Sequence, residues 1–313
     1  MKKLIAIVVA ALLCLGMTAM AEETYNVGIC QLVQHPALDA ATPGFIDALT
    51  EALGDAVSFD NQNASGDSNT CSTIVNKFIA DSVDLIMCNA TPALQAAVAA
   101  TGDIPILGTS VTDYGTALDI DEWTGTTGMN VSGTSDLAPL SEQAAMIAEL
   151  FPDAKTVGLL YCSAEPNSKY QIDVIEGYLD ELGIGYAEFT FADSNVVASV
   201  AQSACDGSDV LYIPTDNTAA SCTEAIRNVV EPAGKAVVAG EEGICSGCGV
   251  ATLSISYYDL GYATGKMAAE VLANGADVST MEIQFAPNVT KEYNAELCEI
   301  LGVTVPEDYV AIG

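Results

Sequence analysis

Basic side chains are scarce in this 313-residue sequence, which has 9 lysine and arginine residues against 42 aspartate and glutamate residues. The formal net charge is −33, and Arg227 is the single arginine of the chain. A surface this negative repels nucleic-acid phosphates and anionic lipid head groups, so the composition excludes nucleic acid as a partner. It also disfavours multiply charged anionic ligands such as phosphate or citrate, which are usually held by several cations.

Histidine and tryptophan each occur once, as His35 and Trp123. Enzymes that act through a serine or cysteine nucleophile need a base beside it, and His35 has no evident partner of that kind. No G-x-S-x-G motif follows a predicted strand. We therefore expect no enzymatic activity and no cofactor. The few aromatic residues, together with the lack of arginine in the polar motifs, also disfavour a sugar site.

Beyond its first 21 residues the chain lacks the ~18 consecutive apolar residues of a membrane-spanning helix. The start, MKKLIAIVVAALLCLGMTAMAEE, combines two lysines, an apolar run and Ala19-Met20-Ala21, which is the pattern of a secretory signal peptide at residues 1–21. We expect cleavage after Ala21 and an extracytoplasmic mature protein with a net charge of −35. The bulky neighbours of Cys14 disfavour lipoprotein processing, which leaves open how the protein associates with the membrane.

Removal of this segment leaves nine cysteines, of which Cys245 and Cys248 form a CSGC motif. A zinc knuckle would need a second pair of ligands, and none stands out, so we expect no bound metal. Redox dithiols usually open a helix, whereas these cysteines lie among glycines in a predicted loop. The favoured interpretation is a loop disulfide or ordinary small residues, and an exported thiol or metal protein remains an alternative.

Short apolar segments alternate with longer amphipathic ones in both halves of the chain, as is typical of parallel sheets with crossover helices. The first half contains YNVGIC, AVSFDN, VDLIMCN and IPILGT, and the second contains KTVGLLYC, YAEFTF, DVLYIPT and AVVAGE. Their common order indicates an internal duplication of about 110 residues. We predict an α/β fold with two doubly wound, flavodoxin-like parallel-sheet lobes.

Segments 127–136 and 250–261 are predicted to carry the chain between the lobes, and the last helix requires a third crossing. The predicted N-terminal lobe comprises residues 24–131 and 254–279, and the C-terminal lobe comprises residues 132–253 and 280–313. Three connections make a hinge with a cleft between the lobes. Because ligands of such sheets bind beyond the carboxyl ends of the strands, the polar motifs at those ends should face the cleft.

Eight motifs, in order along the mature chain, carry a family resemblance: QLVQHPALDAATPGF, NQNASGD, ATPALQA, GTSVTDY, NVSGTSD, LLYCSAEPNS, IPTDNT and ATLSISYYDLGYATG. The sequence resembles the type I periplasmic-type substrate-binding proteins of ABC transporters, in the branch for tryptophan and tyrosine uptake. The resemblance implies a Venus-flytrap protein that captures an amino acid and delivers it to a membrane permease. The segment EEGICSGCGV departs from the family pattern.

Acids and neutral polar residues form the candidate site. We predict that Asp216 binds the ligand ammonium and that Asn217 orients it or bonds the ligand carboxylate; helix capping is the alternative for Asp216. Glu241 is a second-choice acid. A single ligand carboxylate can be held by hydroxyl groups and by N–H groups at helix N-termini. The residues that offer this chemistry are Thr91, Thr109, Ser110, Ser163, Asn167 and Ser168.

Three further residues are candidates for ligand contact. Gln31 ends the first strand, His35 opens the first helix, and either could instead have a structural role. Tyr114 is a candidate for the apolar wall that an aromatic ligand would need.

We therefore predict a monomeric, extracytoplasmic solute-binding protein of an ABC importer, whose partners are a small ligand and a permease at the membrane. It should close on an L-amino acid, and we expect tryptophan, tyrosine or phenylalanine. The alternatives are a binding protein of the same fold for a sugar or nucleoside and a thiol or metal protein that uses Cys245 and Cys248.

Overall fold

The computed structural model describes residues 24–286 and 288–312, so the predicted signal peptide lies outside the described residues. The strands are β1 (Tyr25–Gln31), β2 (Val57–Asn63), β3 (Leu85–Asn89), β4 (Ile106–Val111), β5 (Val131–Ser135), β6 (Thr156–Cys162), β7 (Gly185–Phe191), β8 (Val210–Ile213), β9 (Val237–Ala239), β10 (Ala251–Ser254), β11 (Gln284–Phe285), β12 (Thr290–Tyr293) and β13 (Val310–Ala311). The helices are α1 (Pro36–Leu53), α2 (Ser68–Ala80), α3 (Thr91–Ala100), α4 (Tyr114–Ala117), α5 (Leu140–Leu150), α6 (Pro166–Leu182), α7 (Val197–Gly207), α8 (Asn217–Ser221), α9 (Thr223–Val230), α10 (Glu242–Cys248), α11 (Tyr257–Asn274) and α12 (Ala295–Leu301).

Two sheets organise the described chain. The first has the strand order β11-β5-β4-β3-β1-β2 with all neighbours parallel. The second has the order β13-β12-β10-β9-β8-β6-β7 and contains one antiparallel pair, β10 with β12. Inner strands such as β3 and β8 are buried along their whole length, as expected when helices cover both faces of a parallel sheet. The predicted α/β fold of two parallel-sheet lobes is confirmed.

Each lobe has an apolar core on both faces of its sheet. In the first lobe, α2 and α3 pack on one face of the sheet, and α1 and α11 pack on the other. In the second lobe, α5, α6 and α12 contribute to one core, and α7 to α10 contribute to the other. Because helices protect both faces, only the ends of the strands are free to present polar side chains.

The chain passes between the lobes three times, but the crossings differ from the predicted boundaries. The first crossing follows β5, which belongs to the first sheet as far as Ser135, so a lobe boundary after residue 131 is wrong. The third crossing follows β11, which pairs with β5, so a boundary after residue 279 is also too early. The error at β5 arises because a strand of small, polar residues was read as a connection, although all five are buried.

Close packing of two helices fixes α11 to the first lobe after the second crossing. A Cβ added at Gly261 would overlap the carbonyl oxygen of Ala41, and one at Gly44 would overlap the carbonyl oxygen of Tyr258. The backbones of α1 and α11 therefore touch, which only glycine at these positions allows.

The CSGC motif lies in α10, not in the predicted loop. The glycine-rich segment forms a helix because Glu241 caps it, accepting hydrogen bonds from the N–H groups of Gly243 and Ile244. Cys245 and Cys248 are buried free thiols, so of the two branches of the favoured interpretation the structure has ordinary small residues and not a loop disulfide. Burial raises the pKa of both thiols far above the ordinary value, which makes them poor nucleophiles.

Candidate functional site

The carboxyl ends of the strands in the two sheets meet across the gap between the lobes. His35, at the start of α1, reaches Asn217 of the second lobe, with 3.3 Å between His35 Nε2 and Asn217 Oδ1. On one side of this contact is a cavity of about 240 Å³, which Val33 and Pro92 line from the first lobe and Glu165 and Thr218 line from the second. The polar motifs thus face an interlobe cleft.

A second cavity, of about 360 Å³, lies on the hinge side. Its lining includes Pro36 and Tyr257 from the first lobe, Glu241 and Glu242 from the second, and Ser254 from the connection between them. Burial raises the pKa of Glu241 to about 7, although the N–H groups of Gly243 and Ile244 oppose the shift. Glu241 lines this cavity, and its carboxylate is engaged in capping α10.

Asp216 is held by the protein itself. Its Oδ2 accepts hydrogen bonds from Cys162 N at 2.7 Å and Ser168 Oγ at 2.8 Å, and its Oδ1 accepts from Ala219 N at 2.8 Å. It is the N-cap of α8, so the structure assigns it the capping alternative, and its predicted role as the ammonium partner is corrected. Burial, followed by the charge of Glu165, raises the pKa of Asp216 to about 8.

Glu165, which precedes α6, joins the same corner of the second lobe. Its Oε1 accepts from Thr218 N and Thr218 Oγ1, at 2.8 and 2.7 Å. Its Oε2 accepts from Asn217 N and Asn217 Nδ2, at 3.0 and 2.7 Å. Glu165 therefore fixes both the start of α8 and the side-chain amide of Asn217.

Asp136 is the acid that the sequence reasoning missed. It follows β5 at the first crossing and is buried, and its Oδ2 accepts a hydrogen bond of 3.0 Å from the hydroxyl of Tyr257. Its Oδ1 is buried and has no hydrogen-bond partner in the described protein. Burial raises the pKa of Asp136 to about 6, against the effect of the Thr112 and Tyr257 hydroxyls. The motif NVSGTSD contains this acid, but a crossing segment and a family resemblance do not by themselves indicate a site residue.

Three predicted contact residues have structural roles instead. The amide of Gln31 is fully engaged, since Nε2 donates to Val33 O and to Asp39 Oδ1 while Oε1 accepts from Thr42 Oγ1. Thr109 is in a buried chain of hydroxyls with Thr134 and Thr264. Tyr114 lies in the core of the first lobe and donates to Thr134 O, so it forms no wall of the cleft.

The remaining predicted hydroxyl and amide residues lie at strand or helix ends. Thr91 is the first residue of α3 and is buried, and Ser110 is buried in β4 with a positive φ of 54°. Asn167 and Ser168 are buried in the first turn of α6. Ser163, in contrast, is exposed and donates to Phe191 O, so it contributes little to an enclosed site.

Five buried polar atoms at this rim have no hydrogen-bond partner in the described protein: His35 Nδ1, Asn89 Oδ1, Ser110 Oγ, Asp136 Oδ1 and Asn167 Oδ1. Each belongs to a residue within or next to the last two residues of a strand or the first turn of a helix. Buried polar atoms normally have partners, so each of these unpaired atoms is a candidate for contact with a polar solute. Three of the five are amide or carboxylate oxygens, which accept hydrogen bonds, and His35 Nδ1 accepts one when Nε2 carries the proton. This set suits a ligand with several N–H donors.

The described residues contain no cluster of three histidine, cysteine or acidic side chains able to hold a metal ion. In residues 24–286 and 288–312, no helix is long and apolar enough to cross a membrane.

The profile of the ABC transporter substrate-binding protein family matches residues 26–312. The chain belongs to this family. It is a family of substrate-binding proteins, not of enzymes. This substrate-binding protein is also 39% identical over 253 residues to a tyrosine-binding protein of Clostridioides difficile, a match that covers 79% of the chain and 72% of that relative.

Two solved structures resemble the chain over nearly its whole length. A Streptococcus pneumoniae ABC domain in complex with L-Trp is 31% identical with a TM-score of 0.86, covering 91% of this chain and 96% of that one. A ligand-free, open substrate-binding protein with adhesive properties from Clostridium difficile is 36% identical, with a TM-score of 0.71 and coverage of 92% and 99%.

Proposed function

We propose that this substrate-binding protein captures an L-amino acid with an aromatic side chain in the interlobe cleft and delivers it to an ABC importer. The relatives named for tyrosine and bound to L-Trp support this ligand class. The observation that carries the proposal is the set of unpaired buried polar atoms on residues near strand ends and helix starts, which includes one carboxylate oxygen. An ammonium group supplies three donors and a positive charge, and so it matches this set.

Asp136 is the proposed partner of the ligand ammonium. Its free oxygen is buried at the first crossing, and its other oxygen is held by the Tyr257 hydroxyl. A buried carboxylate without a cation is unfavourable, and a bound ammonium would compensate the charge. Asp216, the partner expected from the sequence, already has three protein donors, so it supports the second lobe instead.

The ligand carboxylate is proposed to lie between Ser110 and the start of α3. The Ser110 hydroxyl is buried without a partner, and the positive end of the dipole of the ten-residue helix α3, at Thr91, favours negative charge. A single carboxylate needs no arginine in such a setting, which is consistent with Arg227 lying far from the cleft in a surface ion pair with Glu231 and Glu296.

Closure of the lobes about the three crossings is the proposed mechanism of capture. The open, ligand-free relative has the higher identity but the lower TM-score, whereas the L-Trp complex has the higher TM-score. A difference in lobe arrangement would produce this inversion, because sequence identity and overall superposition normally vary together. The His35–Asn217 contact would then form on closing.

A binding screen against the twenty amino acids tests the function. We expect calorimetry to detect binding of tryptophan, tyrosine or phenylalanine. The radius of gyration of the protein should be smaller in the complex than in the absence of ligand. Myo-inositol, a nucleoside and zinc serve as probes of the sugar, nucleoside and metal alternatives. Saturable binding of one of these probes, with no amino acid bound, would refute the proposal.

We further propose that the protein is exported, with cleavage after Ala21, and that it is a monomer that docks on a permease.

A further inference from the structure

We propose that His35 determines ligand specificity, because its Nδ1 accepts a hydrogen bond from an N–H or O–H group on the ligand side chain. The inference rests on the proposed function, since it concerns the same interlobe site. It names a narrower ligand class, namely aromatic amino acids whose ring carries a donor. Tryptophan and tyrosine have such a donor, and phenylalanine does not.

The contacts of Asn217 determine which nitrogen of His35 carries the proton. Asn217 Nδ2 lies 2.7 Å from Glu165 Oε2, and a carboxylate at that distance accepts from the amide N–H. The amide oxygen of Asn217 therefore faces His35 Nε2, at 3.3 Å. An amide oxygen can only accept, so His35 Nε2 is the donor. Neutral imidazole has one N–H group, which leaves Nδ1 as an acceptor.

Glu165 prevents the Asn217 amide from turning over. Besides Asn217 Nδ2, its carboxylate accepts from Asn217 N at 3.0 Å and from Thr218 N at 2.8 Å. Reversing the amide would place the Asn217 oxygen against a carboxylate oxygen and would present an NH₂ group to His35. The first contact is repulsive, so Glu165 of the second lobe fixes the direction of hydrogen bonding, in which His35 Nε2 donates to Asn217 Oδ1 and Asn217 Nδ2 donates to Glu165.

His35 Nδ1 has the properties of a ligand acceptor. The side chain is 7% exposed, and Nδ1 has no hydrogen-bond partner in the described protein. Burial lowers the pKa of His35, against the effects of Asn217, Glu165 and Asp39, so the ring stays neutral at neutral pH. A buried acceptor without a donor costs free energy, and a ligand that lacks a donor leaves that cost in place.

The charges at the site assign His35 to the side chain of the ligand and not to its ammonium group. The ammonium is matched by Asp136, whose carboxylate oxygen is the unpaired anionic atom among the five buried rim atoms. Glu292 Oε2 is also unpaired, but Glu292 lines the hinge-side cavity. A neutral imidazole is a weaker partner for a cation than a carboxylate is. The neutral acceptor on α1 is therefore left for a neutral donor, such as an indole N–H or a phenol O–H.

Calorimetry with tryptophan, tyrosine and phenylalanine on the wild type, His35→Phe and His35→Gln tests the assignment. We expect the wild type to bind tryptophan or tyrosine about 10- to 100-fold more tightly than phenylalanine, because an unpaired buried acceptor is avoided. His35→Phe should lose this preference by binding the donor-bearing ligand less tightly. His35→Gln retains an acceptor and should recover part of the preference.

A second measurement uses the fact that His35 is the single histidine. Nuclear magnetic resonance of protein with isotope-labelled histidine should show, in the complex, a protonated Nε2 and an Nδ1 signal shifted by hydrogen bonding. The proposal is overturned if His35→Phe keeps the wild-type preference, or if the ligand binds without moving the Nδ1 signal. If no amino acid binds the wild type, the proposed function fails, and this inference fails with it.

Discussion

At the scale of single residues, the two buried aspartates Asp136 and Asp216 differ in their hydrogen-bond partners. Asp216 has three donors from the protein, whereas one oxygen of Asp136 has none. Asp136→Asn should weaken amino-acid binding by about 2–5 kcal/mol, the range for breaking a buried charge pair. Calorimetry measures the loss, and an unchanged dissociation constant would contradict the ammonium assignment.

Asp136 should also make amino-acid binding depend on pH. Burial raises the pKa of Asp136 to about 6, and a bound ammonium group would lower that pKa. Because the ligand prefers the ionised form, the affinity of the wild type should fall as the pH falls below about 6. Asp136→Asn has no titrating group there and serves as the control.

The main effect of Asp216→Ala should be a lower stability of the fold. Two backbone N–H groups, of Cys162 and Ala219, would lose their acceptor, and α8 would lose its cap. We expect the free energy of unfolding to fall by about 2–4 kcal/mol, from the lost cap and the unpaired buried donors. Urea denaturation checks this. A variant as stable as the wild type would show that the capping role has been overestimated.

At the scale of helices and strands, much of the fold could be predicted from the sequence because it depends on local periodicity. The buried strands β3 and β8 are continuous apolar runs between turns, and such runs identify parallel strands without knowledge of their neighbours. Strand β5 failed this test. Most of its residues are small and polar. They are buried because α11, which is distant in sequence, packs against them, and the hydroxyl of Thr264 hydrogen-bonds that of Thr134.

The side chains at the site were harder to predict because their partners are distant in sequence. Asp216 could be placed at the end of β8, but its contact with Cys162 N spans 54 residues. Glu165 precedes α6 and nevertheless caps α8, 52 residues away. Sequence patterns place a residue at an edge of a sheet. They do not say whether the free atoms of its side chain face the cleft or another loop.

The contact between α1 and α11 leads to a prediction about helix packing. Gly261→Ala places a methyl group on the carbonyl oxygen of Ala41, so the helices must separate. We expect a loss of about 1–3 kcal/mol in the free energy of unfolding, as for other overpacked sites.

Gly177→Ala is the matched control, since Gly177 lies in the middle of α6 with no atom near its missing Cβ. It should raise stability by about 0.5–1 kcal/mol through helix propensity. Equal denaturation midpoints for Gly261→Ala and the wild type would show that α1 and α11 can separate at no cost.

At the scale of the whole molecule, the excess of acid should make the protein more stable in mild acid than in mild base. The net charge of −33 produces self-repulsion, and burial raises the pKa values of Asp136, Glu241 and Asp216 to about 6, 7 and 8. A carboxyl whose pKa is higher in the folded than in the unfolded state stabilises the fold at low pH. That contribution is lost as the pH rises through the folded-state value.

The melting temperature of the ligand-free protein should therefore rise as the pH is lowered from about 8 to about 5, a window set by these folded and unfolded pKa values. His35 acts in the opposite sense, because burial lowers its pKa and folding is disfavoured below its ordinary value. It is one group against three, so the carboxyl groups should dominate. Added salt should raise the melting temperature at pH 8 by screening the repulsion, and it should also do so at pH 5, where most of the surface carboxyl groups are still ionised. Calorimetric scans that show a steady fall in melting temperature from pH 8 to pH 5 would contradict this account of the buried acids.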